Sequence, residues 1–176
     1  TLIELPANQF NVSRLPDVDI HPELPCDRHA RLSFGCFNNV AKISLAVRKT
    51  WVTLLQSKPK SRLILKWKSL GDPETAALIR RSFTQLGLAD DQLELRPASQ
   101  YEDMLEEYND IDIALDPFPY GGAMTTAEAL WMGVPVVSLA GHRPVARQGF
   151  AILDSIGLSE LVAMTPEAYQ QTALAL

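Results

Sequence analysis

The sequence has little cysteine. Only Cys26 and Cys36 occur in 176 residues, with no close CxxC pair and no histidines at the spacing of metal ligands. This pattern predicts neither a zinc site nor a disulfide framework, and it suits a reducing cytosol. We therefore expect a cytoplasmic protein.

Long apolar runs and an excess of positive charge are also missing. No run approaches the ~20 residues that would span a bilayer, and the first residues lack the pattern of a signal peptide. With 16 Lys and Arg against 21 Asp and Glu, the formal net charge of −5 disfavours nucleic acid or an anionic membrane as a partner. The chain begins without Met and ends on an apolar Ala-Leu-Ala-Leu pattern, so we expect an excised piece of a longer protein.

What the sequence does have is a regular alternation of strand and helix patterns. Strands are predicted at 32–37, 62–67, 93–96, 111–115, 134–139 and 161–163. Helices are predicted at 43–55, 73–86, 101–108 and 143–156, from 125, and after 165, with Asp72 and Thr165 as N-caps. This order is typical of an α/β fold with a Rossmann-like doubly wound parallel sheet. We expect residues 31–176 to form that domain. Residues 1–30, with four prolines, are expected to form an irregular linker or a lid over one sheet edge.

One stretch, 111–131, combines a buried strand, a glycine-rich turn and a helix start. Pro117 and Pro119 end the strand, and the Gly121-Gly122 pair allows a ligand to approach the backbone closely. The free N–H groups and the positive dipole end of the following helix favour an anion at this loop. A tight turn made for packing alone is the alternative.

Candidate ligand-binding residues follow the carboxyl ends of several predicted strands, where ligands of such sheets bind. These residues are Asn38, Asn39 and Lys42 after the first strand, Ala98 and Ser99 after the third, 116–128 after the fourth and 141–147 after the fifth. The predicted crevice therefore brings them together. For Lys42 the alternative is a solvated lysine at a helix start, and for Arg147 an ordinary surface arginine. Asp116, next to Pro117, is interpreted as a turn-forming or strand-end residue.

Two phrases in this arrangement resemble a known family. The first phrase is Asp-Pro-Phe-Pro-Tyr-Gly-Gly followed by Thr-Thr-Ala-Glu-Ala-Leu-Trp-Met-Gly-Val-Pro-Val-Val. The second is Phe34-Gly-Cys-Phe-Asn-Asn-Val-Ala-Lys42-Ile. Both are similar to stretches in the C-terminal half of glycosyltransferase family 41. That family comprises the protein O-linked N-acetylglucosamine transferases, including bacterial and Spindly-like members, and the resemblance covers roughly residues 30–176. It implies the donor-binding half of a GT-B glycosyltransferase that moves N-acetylglucosamine from its UDP donor to Ser or Thr of proteins, without a metal or other cofactor. The acceptor protein would come through the N-terminal half and its tetratricopeptide repeats, and this half alone would be inactive.

The resemblance also implies roles for single residues at the diphosphate. Lys42 stands where the family has the lysine that binds the donor diphosphate and stabilises it as a leaving group, and Asn39 replaces a family glutamine that contacts the phosphate. The turn and helix start that hold the diphosphate correspond to Gly122, Ala123, Met124, Thr125 and Thr126. Family members commonly have His, Thr or Ser at positions 123 and 124, so two side-chain contacts are absent here while the backbone donors remain.

The other correspondences concern the nucleoside. Ala98 and Ser99 lie where the family reads the base through backbone groups, and Tyr101 takes the place of a family lysine. Glu128 stands where the family has an acidic residue that accepts hydrogen bonds from the ribose hydroxyls. The alternative for Glu128 is a capping box, because Thr125 lies three residues before it.

Two other functions remain open at this point. One is a GDP-fucose-dependent protein O-fucosyltransferase, because related family members use that donor. The other is a non-catalytic nucleotide-binding or interaction module, which the departures at Ala123 and Met124 would suit.

Overall fold

A computed structural model describes residues 14–176, and it contains one sheet of six strands in the order β3-β2-β1-β4-β5-β6. The strands are β1 Ser33–Cys36, β2 Arg62–Lys66, β3 Leu93–Arg96, β4 Ile113–Leu115, β5 Val136–Leu139 and β6 Val162–Ala163. Every neighbouring pair is parallel. The order reverses between β1 and β4, and this is the point at which sheets of this kind bind ligands. The predicted Rossmann-like fold is confirmed.

Seven α-helices accompany the sheet in the described part of the chain. They are α1 Pro25–His29, α2 Leu45–Ser57, α3 Pro73–Thr84, α4 Tyr101–Glu106, α5 Met124–Trp131, α6 Gln148–Ser155 and α7 Pro166–Ala175. The predicted caps are confirmed, because the Asp72 side chain accepts from the Thr75 N–H and the Thr165 side chain from the Ala168 N–H. The single helix predicted at 143–156 is wrong at its start, where a separate 3-10 turn, Pro144–Ala146, precedes α6. None of the described helices has the length and apolar character needed to cross a membrane.

Apolar side chains form two buried clusters, which is how a doubly wound sheet covers its two faces. One cluster includes Phe34, Trp51 and Tyr169, and the other includes Phe37 and Tyr108. In the first, the Trp51 indole N–H donates to the Tyr169 hydroxyl at 3.2 Å. Helix α7 is therefore joined to α2, although 118 residues separate the two side chains in sequence.

We call the predicted linker or lid, residues 1–30, the leader. Its described part contacts the residues that precede β4 and the end of α5. The Trp131 indole N–H donates to the Pro16 carbonyl at 3.1 Å, and Asn109 exchanges hydrogen bonds with the backbone of Asp19 and His21 at 2.9 Å each. Residues 14–24 have no helix or strand, as expected, but α1 was not predicted. The first 13 residues of the predicted leader lie outside the described residues.

Candidate functional site

The candidate site lies at the carboxyl ends of β1 and β4. After β1, the chain turns through Asn38 into a short 3-10 helix, Val40–Lys42. After β4, residues 116–123 form the glycine-rich loop that leads into α5. The parallel pairing of β1 with β4 therefore places these two connections side by side.

Lys42 is half-buried and contacts the glycine-rich loop. Its Nζ donates to Asn38 Oδ1 and to the Gly121 carbonyl, both at 3.0 Å, and lies 4.3 Å from the centre of the Tyr120 ring. Burial lowers the pKa of Lys42, and the negative charge of Asp116 acts in the opposite direction. An ammonium group has three N–H donors, so one remains for a ligand. Lys42 is thus not an ordinary solvated lysine.

Asn39 has a different position from the one expected of a phosphate ligand. Its Oδ1 accepts from the Ala41 N–H at 3.0 Å and so caps the 3-10 helix that carries Lys42. The neighbouring amide of Asn38 is the one that contacts the ammonium. The sequence had already indicated Asn38 as a candidate, because it follows the carboxyl end of the first predicted strand.

Asp116 directly follows β4, in agreement with its interpretation as a turn-forming or strand-end residue, and its carboxylate is buried. It is 2% exposed, and it accepts from the Gly122 N–H at 2.6 Å and from the Ser138 hydroxyl at 2.9 Å. Burial raises its pKa to about 6, although both hydrogen bonds and the charge of Lys42 act to lower it. The Gly122 N–H is therefore directed to Asp116, and the diphosphate would use donors further along the chain.

Those donors are the N–H groups at the start of α5. The helix begins at Met124 after Ala123, and no side chain caps it, so the first-turn N–H groups of Met124, Thr125 and Thr126 have no intrahelical acceptor. Thr125 lies inside the helix, so the alternative interpretation, a capping box of Thr125 with Glu128, does not hold. The side chain of Met124 is 51% exposed and does not block these groups from solvent.

Both threonine hydroxyls point toward the glycine-rich loop. Thr125 Oγ1 and Thr126 Oγ1 are buried without a hydrogen-bond partner among the described residues. A Cβ on Gly122 would lie 2.7 and 2.6 Å from them and 2.7 Å from Asp116 Oδ1. Glycine is therefore required at this position for space, and the two hydroxyls keep unused hydrogen-bonding capacity beside the loop.

A cavity of about 250 Å³ adjoins this helix start. Its lining residues are Phe37, Lys66, Trp67, Lys68, Ala98, Ser99, Met104, Met124, Thr125 and Glu128. Five of these residues were predicted for the site. The other five were not, and they are the apolar or aromatic Phe37, Trp67 and Met104 and the lysines Lys66 and Lys68. Mostly apolar walls with a few polar groups are typical of small-ligand sites.

The loop between β3 and α4 is held in place at one side of the cavity. Lys66 Nζ donates to the Pro97 carbonyl and to Glu107 Oε1, both at 2.7 Å. The Ser99 hydroxyl donates to the same carboxylate oxygen at 2.8 Å. The residues on both sides of Ala98 are therefore held by hydrogen bonds, and Ala98 itself lines the cavity.

Glu128 is buried at the cavity, with only 5% exposure. Its Oε1 accepts from the Tyr101 hydroxyl at 3.1 Å. Burial raises the pKa of Glu128, and the bond from Tyr101 opposes that shift. The carboxylate therefore has one fixed partner and a second oxygen that can accept from a ligand.

Arg147 is not part of this group. It is exposed, its guanidinium donates to the Gly141 carbonyl at 3.4 Å, and it stacks 4.5 Å from the centre of the Phe150 ring. It is absent from the residues that line the cavity. Within residues 14–176, no three His, Cys, Asp or Glu side chains form a group that would hold a metal ion.

Known proteins with similar sequences and structures give a consistent result. Residues 21–176 match the family described as Glycosyl transferase family 41. Proteins from Petunia hybrida and Arabidopsis thaliana, each named probable UDP-N-acetylglucosamine–peptide N-acetylglucosaminyltransferase SPINDLY, are 34% and 37% identical over 99% and 98% of the chain. A solved O-GlcNAc transferase mutant from Thermobaculum terrenum is 41% identical with a TM-score of 0.80, covering 88% of this chain and 30% of that one. The chain spans 19% of each of the two plant relatives.

Proposed function

This chain belongs to glycosyl transferase family 41, and from that membership we propose that it is the donor-binding half of a nucleotide-sugar-dependent protein O-glycosyltransferase. The donor named for its relatives, UDP-N-acetylglucosamine, is the first candidate substrate, with Ser or Thr hydroxyls of proteins as acceptors. The six-stranded parallel sheet agrees with the C-terminal half of a GT-B enzyme.

The observation that carries this proposal is the shared position of a cation, a helix start and a cavity. Thr125 belongs to the first turn of α5 and also lines the cavity, while the Lys42 ammonium contacts the glycine-rich loop at the Gly121 carbonyl. A diphosphate at the helix start would meet the uncapped N–H groups, the threonine hydroxyls and the remaining N–H of Lys42. The nucleoside would then occupy the cavity, with its ribose at Glu128 and its base at the loop of Ala98 and Ser99.

In the proposed reaction the acceptor hydroxyl forms a bond to the anomeric carbon of the sugar as the bond to the diphosphate breaks. The nucleoside diphosphate leaves with the electron pair of that bond, and the acceptor hydroxyl releases its proton, which balances the negative charge gained by the leaving group. Lys42 and the positive end of α5 stabilise the negative charge that develops on it, so the described residues supply this stabilisation without a metal ion. Lys42 is therefore the residue to which we assign a catalytic role.

We further propose that these 176 residues bind donor but transfer no sugar by themselves. The chain spans about a fifth of its plant relatives. As the family resemblance implies, the acceptor protein would approach through an N-terminal half and tetratricopeptide repeats. Two free cysteines and the absence of a membrane-crossing helix among the described elements agree with a cytoplasmic enzyme.

A nucleotide panel tests the proposal. UDP, GDP, uridine and guanosine are added to the chain, and the thermal midpoint Tm is measured. At 100 times its Kd, a nucleoside diphosphate stabilises the fold by about 2.7 kcal/mol, which is a rise of roughly 5–10 °C. A response to GDP rather than UDP would favour the fucosyltransferase alternative. No response to any nucleotide at millimolar concentration would favour the interaction module and contradict donor binding.

A further inference from the structure

One peptide group of the glycine-rich loop lies between two opposite charges. Its oxygen, the carbonyl of Gly121, accepts from Lys42 Nζ at 3.0 Å. Its N–H, that of Gly122, donates to Asp116 Oδ1 at 2.6 Å. The two atoms belong to the same rigid planar unit, so a rotation of this peptide would break both bonds together.

The carboxylate end of this arrangement is enclosed. Asp116 Oδ2 accepts from the Ser138 hydroxyl on β5, and the backbone carbonyl of Asp116 accepts from the Tyr169 hydroxyl on α7 at 3.0 Å. A Cβ on any of three glycines would come within 3.0 Å of the carboxylate, namely on Gly121, Gly122 and Gly149. The carboxylate is therefore closely packed against the backbone at these three glycines.

Lys42 is the one cation whose charge acts on Asp116 from the packed elements around it. The other titratable groups that interact with Asp116 are neutral at pH 7, because burial raises the pKa of the Cys36 thiol on β1 and of the hydroxyls of Tyr108 and Tyr169. Among the described residues, no ion pair within 4.0 Å joins Lys42 directly to a carboxylate. The link between the two charges is the peptide group.

We propose that Asp116 is a positioning residue of the donor site, which fixes the Lys42 ammonium through the Gly121–Gly122 peptide and keeps it charged. An anion here would by itself repel a diphosphate, so its place next to the loop calls for a role exerted through another group. A carboxylate at the N–H polarises the peptide and strengthens its oxygen as an acceptor for Lys42. The negative charge also opposes the effect of burial on the ammonium. The inference rests on the proposed function only where Lys42 is taken to contact the diphosphate.

The test uses Asp116→Asn in the chain without ligand. Asparagine can keep a bond to the Gly122 N–H through its oxygen and one to Ser138 through its amide, so chiefly the charge is lost. The titration of Lys42 is followed by NMR at its side-chain carbon Cε, with the resonance assigned by its loss in Lys42→Arg. We expect the Lys42 midpoint to fall by about half a pH unit or more, as for removal of a nearby opposite charge. Asp91→Asn, at an exposed position, is the control and leaves it unchanged. An unchanged midpoint in Asp116→Asn would overturn the inference.

The wild-type chain gives the same test if the variant does not fold. The Gly122 amide proton reports the ionisation of Asp116, because it is bonded directly to the carboxylate. The Lys42 Cε resonance must then move at the same pH as this amide proton. A Lys42 resonance that shows no such step would overturn the proposal without any substitution.

Nucleotide binding separates this inference from the proposed function. If the chain binds UDP or GDP, affinity falls at alkaline pH as Lys42 loses its proton, and Asp116→Asn moves that fall to lower pH. In a Lys42→Arg background, Asp116→Asn should not change the pH dependence of nucleotide affinity, because arginine stays charged. A merely structural role would instead lower affinity equally at every pH, which would contradict the inference. A chain that binds no nucleotide while the Lys42 midpoint still shifts would refute donor binding and support the positioning role.

Discussion

Replacing Asp116 by asparagine should change how the stability of the fold depends on pH. The carboxyl has a pKa of about 6 in the folded chain because it is buried, against an ordinary value of 3.8. A raised pKa means that the folded state holds the proton more tightly than the unfolded state. The stabilisation linked to this proton is complete below pH 3.8 and is lost as the pH rises through about 6.

The size of the effect follows from the same two values. The gap between 3.8 and about 6, at about 1.36 kcal/mol for each pH unit, gives about 3 kcal/mol in total. About 2 kcal/mol of it falls between pH 4.5 and 8, a range in which many domains remain folded. For a chain of this size that difference is roughly 4–8 °C in Tm.

The assay is urea unfolding of the wild type and Asp116→Asn at pH 4.5, 6 and 8. Groups whose pKa is the same in both proteins cancel, so the difference between the two unfolding free energies reports residue 116 and the groups coupled to it. We expect the variant to gain about 2 kcal/mol relative to wild type from pH 4.5 to 8, while Asp91→Asn shows no such trend. A difference that stays constant within about 0.5 kcal/mol would refute the reasoning. It would mean that Gly122, Ser138 and Lys42 fully offset the burial of the charge.

Three other substitutions test separate parts of the site. Lys42→Ala should weaken binding of a nucleoside diphosphate by roughly 1.5–3 kcal/mol and hardly affect the nucleoside, as measured by calorimetry with the exposed Lys49→Ala as control; equal losses for both ligands would place the lysine away from the phosphates. Glu128→Gln should leave the apo Tm nearly unchanged but cost a ribonucleotide roughly 1–2 kcal/mol of binding, whereas a 2′,3′-dideoxy nucleotide should bind both proteins alike; full affinity for the ribonucleotide would end the ribose assignment. Gly122→Ala should lower the unfolding free energy by roughly 1–3 kcal/mol, because its Cβ would lie 2.6 Å from Thr126 Oγ1. Gly71→Ala, whose nearest neighbour would be at 3.4 Å, should lower it much less, and equal losses would show that the loop relaxes.

The sheet and its helices could be predicted because their signals are local and repeated. Apolar runs identify every strand, and cap residues such as Asp72 and Thr165 fix helix starts to the residue. The family could be predicted for a related reason, because each of its two motifs is a continuous stretch of the sequence. Neither signal depends on knowing which distant residues meet.

The parts of the site that were missed or wrong depend on distant contacts. Thr125 has the residue type and spacing of a cap, yet its hydroxyl is turned toward the space beside Gly122, and α5 starts one residue earlier. The position of Asp116 at a strand end could be predicted, but its partner Ser138 could not, because Ser138 lies 22 residues away on another strand. Lys66 reads as an ordinary strand lysine, and only the fold shows that it holds the loop at Pro97. Such roles follow from the order of the strands, which no local pattern contains.

The bond between Trp51 and Tyr169 has a consequence for the order in which the chain is made. Synthesis at about 5–20 residues per second separates the two side chains by roughly 6–24 s, since 118 residues lie between them. During that interval β1, β2 and α2 exist without the helix that covers the Trp51 face. Tyr169 also donates to the carbonyl of Asp116, so the glycine-rich loop gains this support only after α7 has been synthesised. A ribosome that stalls before residue 169 would therefore display a nascent sheet with an uncovered indole and an unfinished site.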